Sequence, residues 1–260
     1  MKRPFGQHFL FDPNILKKII ACSGVTKDDT VVEIGPGLGT LTKFLSLYAK
    51  KVIAIEIDKR LIGKLEEIFS ESSNVEIVQA DAMKYPFDKI NGSFKVVANI
   101  PYNITTPLLF RLLEFKDKIT SMTLLMQKEV AKRITATHEN KEYGVLSITT
   151  RLYTKPGMKF TVSRKAFLPP PDIDSAVVHF DVHRKPIYPV EDEKLFIEVV
   201  KTAFSQRRKT IMNSLKKFDG IKESLLAAGI DPKLRPENLS IEDYVKLTDA
   251  IAKRAYFTEI

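Results

Sequence analysis

The chain has a single cysteine, Cys22, among its 260 residues. One cysteine excludes an intrachain disulfide and any zinc site built from several cysteines. No apolar run approaches the ~20 residues that a membrane-spanning helix needs. The opening Met1-Lys2-Arg3-Pro4-Phe5-Gly6-Gln7-His8 lacks an apolar core and a small-residue cleavage site, so no secretory signal is expected. Internal repeats and low-complexity tracts are absent as well. A reduced, cytoplasmic setting with no membrane contact fits these absences.

The composition is that of a globular chain: 44% hydrophobic and 28% charged residues. At ~150 residues per domain the length allows one or two domains. Lys and Arg number 41 against 32 Asp and Glu, a formal charge of +9. That excess suggests a polyanionic partner, most simply a nucleic acid. Basic residues cluster at Lys128/Lys132/Arg133, at Arg151/Lys155/Lys159/Arg164/Lys165 and at Arg207/Arg208/Lys209. Any one cluster reads equally well as a solvated face.

Asp12-Pro13 reads as a helix start, with the aspartate as N-cap and the proline in the first turn. Strands and helices then alternate. Strands are expected over 30–34, 51–57, 75–79, 94–98 and 119–126, and helices over 38–48, 60–69, 106–115 and 128–135. This alternation predicts a parallel sheet covered on both faces. Residues 145–153 and 176–182 read as two further strands forming a late antiparallel hairpin. From 190 onward the signals are helical, over 195–205, 209–218, 221–228 and 241–252. A linker over 184–189 would separate a domain of residues 1–185 from a small helical domain of residues 190–260.

In open parallel sheets ligands bind beyond the carboxyl ends of the strands. Here those ends carry Glu33 with Gly35, Gly37 and Gly39, then Glu56, then Asp81-Ala82, then Asn99-Ile100-Pro101-Tyr102. The glycines permit a sharp turn and close backbone approach to a ligand. Their G-x-G-x-G spacing departs from the dinucleotide fingerprint G-x-G-x-x-G. Glu56 follows at the distance where an acid meets a ribose diol. Glu33, Glu56 and Asp81 would repel a pyrophosphate. They suit S-adenosylmethionine, which offers ribose hydroxyls, an exocyclic amine and a cationic sulfonium.

Asn99-Ile100-Pro101-Tyr102 is the most informative segment. The exocyclic amine of adenine is a poor nucleophile, because its lone pair is delocalised into the ring. Two neutral acceptors, the Asn99 side-chain oxygen and the Ile100 carbonyl, can engage both N–H groups and favour a tetrahedral, cationic nitrogen. Pro101 stiffens the turn. The Tyr102 ring can stack on a base drawn out of its neighbours.

With these motifs in order, the chain resembles the KsgA-type small-subunit rRNA adenine N6-dimethyltransferase family along nearly its whole length. Phe5-Gly6-Gln7-His8-Phe9-Leu10 is similar to the family's N-terminal signature. The segment from Phe167-Leu168-Pro169-Pro170-Pro171 to Ser175 resembles its F-x-P-x-P-x-V-x-S element, with Ile173 in place of valine. Gln206-Arg207-Arg208-Lys209 resembles its C-terminal Q-R-R-K element. The resemblance implies an α/β, Rossmann-like methyltransferase with a seven-stranded sheet, one strand antiparallel, and a small all-α C-terminal domain. It implies that His8, Leu10, Gly35, Glu56, Asp81 and Asn99 contact S-adenosylmethionine, joined here by Glu33, Gly37 and Ala82. His8 stands where some relatives have asparagine, a change that a backbone contact would survive. Phe167 becomes a candidate second stacking face for the target base, and Arg207, Arg208 and Lys209 become candidate rRNA contacts. The implied substrate is a pair of adjacent adenosines in the 3'-terminal hairpin loop of small-subunit rRNA on an assembling subunit. The expected protein is a monomer without a metal.

His179 and His183 stand at a strand end where their spacing does not bring two ligands together, and Cys22 reads as packing. Three other functions compete. One is the macrolide-resistance type of enzyme, acting on a large-subunit adenosine, against which the Q-R-R-K element speaks. Another is an assembly or transcription factor that has lost turnover. The third is a nicotinamide oxidoreductase, disfavoured by the glycine spacing.

Overall fold

The computed structural model describes residues 8–206 and 208–258, with side chains as far as Arg254. The chain divides into two compact units, Met1–Ala131 with Thr154–Arg184 and Lys132–Tyr153 with Lys185–Ile260.

The first unit contains β1 (Phe9–Leu10), α1 (Pro13–Ser23), β2 (Thr30–Ile34), α2 (Thr40–Tyr48), β3 (Lys51–Glu56), α3 (Lys59–Ile68), β4 (Val75–Gln79), β5 (Phe94–Asn99), α4 (Thr105–Leu113) and β6 (Ile119–Gln127). After α5 (Lys128–Thr135) and α6 (Val145–Arg151), the chain adds β7 (Thr154–Val162), β8 (Phe167–Leu168) and β9 (Ser175–Val182). The sheet order is β4-β3-β2-β5-β6-β9-β7. From β4 to β6 neighbours run parallel, whereas β9 is antiparallel to both β6 and β7. One strand of seven is therefore reversed, as the resemblance implied.

The central strands are apolar runs because helices cover both faces of the sheet. Val31, Val32, Val52, Ala54, Val96 and Val97 are completely buried. Along the chain the order runs outward from β2 to β4 and restarts on the other side of β2 with β5. This reversal opens a crevice at the carboxyl ends of β2 and β5. Helix α1 starts as its sequence dictates. The Asp12 carboxylate accepts from the amides of Asn14 (2.9 Å) and Ile15, and Gly24 ends the helix with φ +61°.

Residues 145–153 do not form the expected strand. Val145–Arg151 is helix α6, and the strand lies just beyond it at Thr154–Val162. The run Ile148-Thr149-Thr150 carries strand propensity, but tertiary packing overrides it. Five successive side chains, Leu146 to Thr150, are buried, so this short helix is enclosed on all sides and has no solvent face to give it period. Pro156 lies within this strand. It is tolerated because β7 is the edge of the sheet.

The second unit is helical: α6, α7 (Glu193–Ser205), α8 (Ile211–Ser214), α9 (Ile221–Ala227) and α10 (Ile241–Thr258). Its core gathers Tyr143, Ile148, Phe196, Val200, Leu225, Tyr244 and Leu247. Residues 132–153, expected in the first domain, belong to this unit. Of the helix expected over 209–218, only the single turn of α8 forms, capped by Thr210.

Candidate active site

Every strand end at the crevice contributes to one pocket. β2 delivers Glu33 and turns through Gly35 (φ +68°) and Gly37 (φ +59°) into α2. A Cβ on Gly37 would approach the Phe9 ring to 2.7 Å. Glycine is thus required there twice, by its left-handed backbone and by the ring that β1 lays over the loop. β3 ends in Glu56, only 2% exposed. Its carboxylate accepts from the Gly37 amide (3.1 Å) and from the Asp58 amide (2.9 Å), fastening the glycine loop to the neighbouring strand. Asp81 accepts from the Met83 amide (2.9 Å) and so holds the turn after β4.

Glu33 is 1% exposed, and its Oε2 has no hydrogen-bond partner among the described residues. Burial is the main cause that pushes its pKa from 4.5 up to about 8; Thr42 lowers it and the charge of Glu56 raises it. A buried acceptor left without a donor is a place for a cationic or hydrogen-donating ligand.

At the end of β5 the Asn99 amide nitrogen donates to the His8 carbonyl (3.0 Å). A carbonyl can only accept, so the NH₂ must face His8, which leaves Oδ1 as the acceptor. The Ile100 amide donates to the Leu125 carbonyl (3.0 Å), and Tyr102–Ile104 forms a single 3₁₀ turn. The Tyr102 hydroxyl and the Ser175 hydroxyl are 2.5 Å apart. Burial is the first cause that raises the Tyr102 phenol above its ordinary pKa, so the group stays neutral and its ring apolar. The His8 imidazole stacks on the Tyr102 ring at 5.6 Å and meets the Pro169 carbonyl through Nδ1 (2.9 Å). Thr40 donates to the Leu10 carbonyl (2.8 Å), which pins the N-terminal segment against α2.

The pocket is lined by all of His8, Leu10, Glu33, Gly35, Gly37, Glu56, Asp81, Ala82, Asn99, Ile100, Pro101 and Tyr102. Phe167 is not among them. It is 2% exposed and packs in the core with Leu10, Leu16 and Ile19. Phe167 pairs with Leu10 in the β1–β8 ribbon, and that side of the ribbon faces inward. Arg208 and Lys209 are exposed in the second unit, while Arg207 lies outside the described residues. Sequence reasoning missed Phe9, Ile57 and the Tyr102 partner Ser175. Ile57 is 46% exposed beside Glu56 and lines the pocket. Its place directly after Glu56 at a strand end was the signal available in the sequence.

The donor set fits S-adenosylmethionine. The carboxylates of Glu56 and Asp81 are acceptors only, matched to hydroxyl and amine donors, and the buried Glu33 carboxyl, protonated in the free protein, is driven to ionise by a cation bound beside it. Replacing Glu56 by alanine is expected to weaken S-adenosylmethionine binding ten- to a hundredfold, since charge-assisted hydrogen bonds contribute ~1.5–3 kcal/mol. Calorimetry on the folded variant checks this, and unchanged affinity would remove Glu56 from the ligand's contacts.

Residues 1–253 match the protein family described as ribosomal RNA adenine dimethylase. The chain is 45% identical over 253 residues to the Ribosomal RNA small subunit methyltransferase A of Clostridium botulinum, covering 95% of this chain and 92% of that one. Among solved structures, it is similar to a dimethyladenosine transferase from Plasmodium falciparum (TM-score 0.80, 30% identity, 95% of this chain and 98% of that one). It is also similar to the 23S rRNA methyltransferase ErmE (TM-score 0.77, 26% identity, 94% and 99%).

Proposed function

Since this chain belongs to the ribosomal RNA adenine dimethylase family, we propose that the pocket at the ends of β2 and β5 is where it dimethylates adenine N6 in small-subunit rRNA. The enzyme is an S-adenosylmethionine-dependent rRNA adenine dimethyltransferase. Its finer target, in our reading, is a pair of adjacent adenosines in the 3'-terminal hairpin loop, met by a cytoplasmic monomer on an assembling subunit. None of the described helices is long and apolar enough to cross a membrane. The 45% identity to the small-subunit enzyme, against 26% to the large-subunit one, favours this target over the alternative.

The observation that carries the reading is the locked Asn99 amide. His8 holds its nitrogen, so Oδ1 accepts one N–H of the target amine while the Ile100 carbonyl accepts the other. S-adenosylmethionine, when bound, supplies an electrophilic methyl group carried on a sulfonium. His8, Leu10, Gly35, Gly37 and Ala82 shape its cradle, Glu56 takes the ribose hydroxyls, and Glu33 and Asp81 face its amine and positive charge. Tyr102 stacks on the base, and Pro101 fixes the turn between ring and acceptors. As the N–CH₃ bond forms, the S–CH₃ bond breaks and the neutral thioether leaves. The methylated, cationic amine then loses one proton to water and keeps one N–H for an acceptor, which permits a second transfer at the same site.

Mass mapping of small-subunit and large-subunit rRNA, each incubated with protein and S-adenosylmethionine, tests the reading. Two adjacent dimethyladenosines in the small-subunit 3' hairpin are expected. Modification of large-subunit rRNA alone would overturn it. Arg208 and Lys209, with Arg207, contribute to rRNA binding and not to chemistry. Replacing all three by alanine is expected to lower the salt dependence of rRNA affinity by up to about 2–3 in log–log slope, at roughly 0.7–0.9 per lost phosphate contact. Titration at several salt concentrations measures it.

A further inference from the structure

The cationic run Arg151/Lys155/Lys159/Arg164/Lys165 is rearranged by the fold. Arg151 leaves it. That residue lies in α6 of the second unit and donates to the Thr135 carbonyl (2.8 Å). The other four remain in the first unit, all exposed, on edge strand β7 and on the turn Arg164–Ala166. Helix α1 then brings Lys17 and Lys18 alongside. α1 packs on β9, and Lys18 Nζ sits 5.9 Å from the ring of Phe160 in β7.

These six cations are not neutralised. Among the described residues, none of them lies within ion-pair distance of a carboxylate. Arg164 reaches only the Asp172 carbonyl (3.1 Å) through its guanidinium. Lys95 shows the contrast, since Asp29 holds it at 2.9 Å. Of the nearby acids, Asp174 accepts from the Arg164 backbone amide (3.0 Å) and Asp181 lies 3.4 Å from His179. Asp172 stays exposed.

The strip ends at the pocket. The turn Arg164–Ala166 runs straight into β8, which pairs with β1, and the Pro169 carbonyl just after β8 holds the His8 ring at the pocket wall. Two large apolar side chains stand exposed on this ribbon. Leu168 is 65% exposed and Phe11 52%. The Phe11 amide donates to the Ala166 carbonyl (3.3 Å), which places it beside the cationic turn. Unpaired cations that track a backbone, interleaved with exposed apolar side chains, are the equipment for single-stranded nucleic acid.

We propose that α1, the β7 edge and the segment from Arg164 to Leu168 form the surface that carries the rRNA strand flanking the target adenosine, with the six cations on its phosphates and Phe11 and Leu168 against its bases. This rests on the rRNA reading of the pocket and assigns that substrate a path across the first unit.

The test measures small-subunit rRNA binding to the full chain from about 50 to 200 mM salt. The variant K155Q/K159Q/R164Q/K165Q is expected to lower the log–log salt slope by about 3, at roughly 0.7–0.9 per phosphate contact, and to weaken binding at least about tenfold. Its S-adenosylmethionine affinity should equal that of the parent. K17Q/K18Q, which breaks no hydrogen bond or ion pair among the described residues, should lower the slope by about 1.5. F11A/L168A should weaken binding roughly tenfold with an unchanged slope, because stacking on the Phe11 ring and apolar contact with Leu168 release no counterions. A comparison variant, K27Q/K50Q/K64Q/K89Q, carries the same net charge and should keep the parent slope. A parent-like slope in both strip variants would overturn the proposal. So would an equal fall in the comparison variant, which would show that only net charge matters. Methylation by the parent protein is followed in parallel. A parent that binds but does not methylate small-subunit rRNA would count against the functional reading alone, since the strip is judged on slope.

Discussion

Replacing Asn99 by alanine is expected to lower kcat for methylation of small-subunit rRNA by about 10²–10³, while rRNA affinity is nearly unchanged. The size follows from what the side chain does. Its nitrogen is committed to the His8 carbonyl at 3.0 Å, so its oxygen is already aimed before the substrate arrives. A preorganised acceptor costs no reorganisation as charge develops on the amine, and losing one such partner typically costs that factor in other enzymes. rRNA affinity depends mainly on phosphate contacts, which Asn99 does not make. Asn99 also lines the S-adenosylmethionine pocket. Affinity for that ligand must therefore be measured separately by calorimetry. A fall in kcat at saturating S-adenosylmethionine supports the acceptor role, whereas a defect cured by raising its concentration would reduce Asn99 to a binding residue.

The ligand-free protein is expected to lose stability as pH rises from about 4.5 to about 8, and a Glu33→Gln variant is expected to escape that loss. The native carboxyl is held at about 8 against 4.5 for the free group, chiefly by burial. Below 4.5 both folded and unfolded chains keep the proton. Between the two values the unfolded chain ionises while the native state stays protonated, so unfolding is favoured by ~1.4 kcal/mol for each pH unit. Over the whole window the difference between parent and variant should open by about 5 kcal/mol. Denaturant titrations of both proteins at a series of pH values measure it, and the difference isolates Glu33 from every other titrating group. Parallel curves would show that Glu33 is ionised throughout. A cationic ligand favours the ionised form, so S-adenosylmethionine should bind more tightly as pH approaches 8, and this dependence should vanish in the variant.

The difference between what sequence shows and what folding decides is clearest in two neighbouring residues. Phe167 and Leu168 follow the same motif, and a motif reports nearness to a site without reporting side. In a strand successive side chains point to opposite faces. Pairing of Leu10 with Phe167 turned the phenylalanine into the core and left Leu168 in solvent. Helix α6 was misread for a related reason. Strand and helix cannot be told apart in a short segment buried all round, because periodicity exists only where one face meets water. The second unit draws in residues 132–153 through long-range packing of Tyr143 and Ile148 with Phe196 and Tyr244, contacts that no local pattern announces.

What the sequence determined by itself is the parallel sheet, the reversed strand implied by resemblance, and the chemistry at the strand ends. Apolar runs bounded by glycines and acids are local signals. Glu33, Gly35, Gly37, Glu56, Asp81 and Asn99 each sit where a strand must stop, so a crevice follows from their order along the chain. Only the tertiary structure decided how those groups are used. It bound Glu56 to the Gly37 amide, fixed the Asn99 nitrogen on His8, linked Tyr102 to Ser175 and left Glu33 buried with an oxygen unpartnered among the described residues. Those partners lie 19, 91 and 73 residues away for the three bonds. Spacing in sequence fixes which groups reach the crevice, whereas the direction of a hydrogen bond and the pKa of a carboxyl depend on neighbours that only the closed fold supplies.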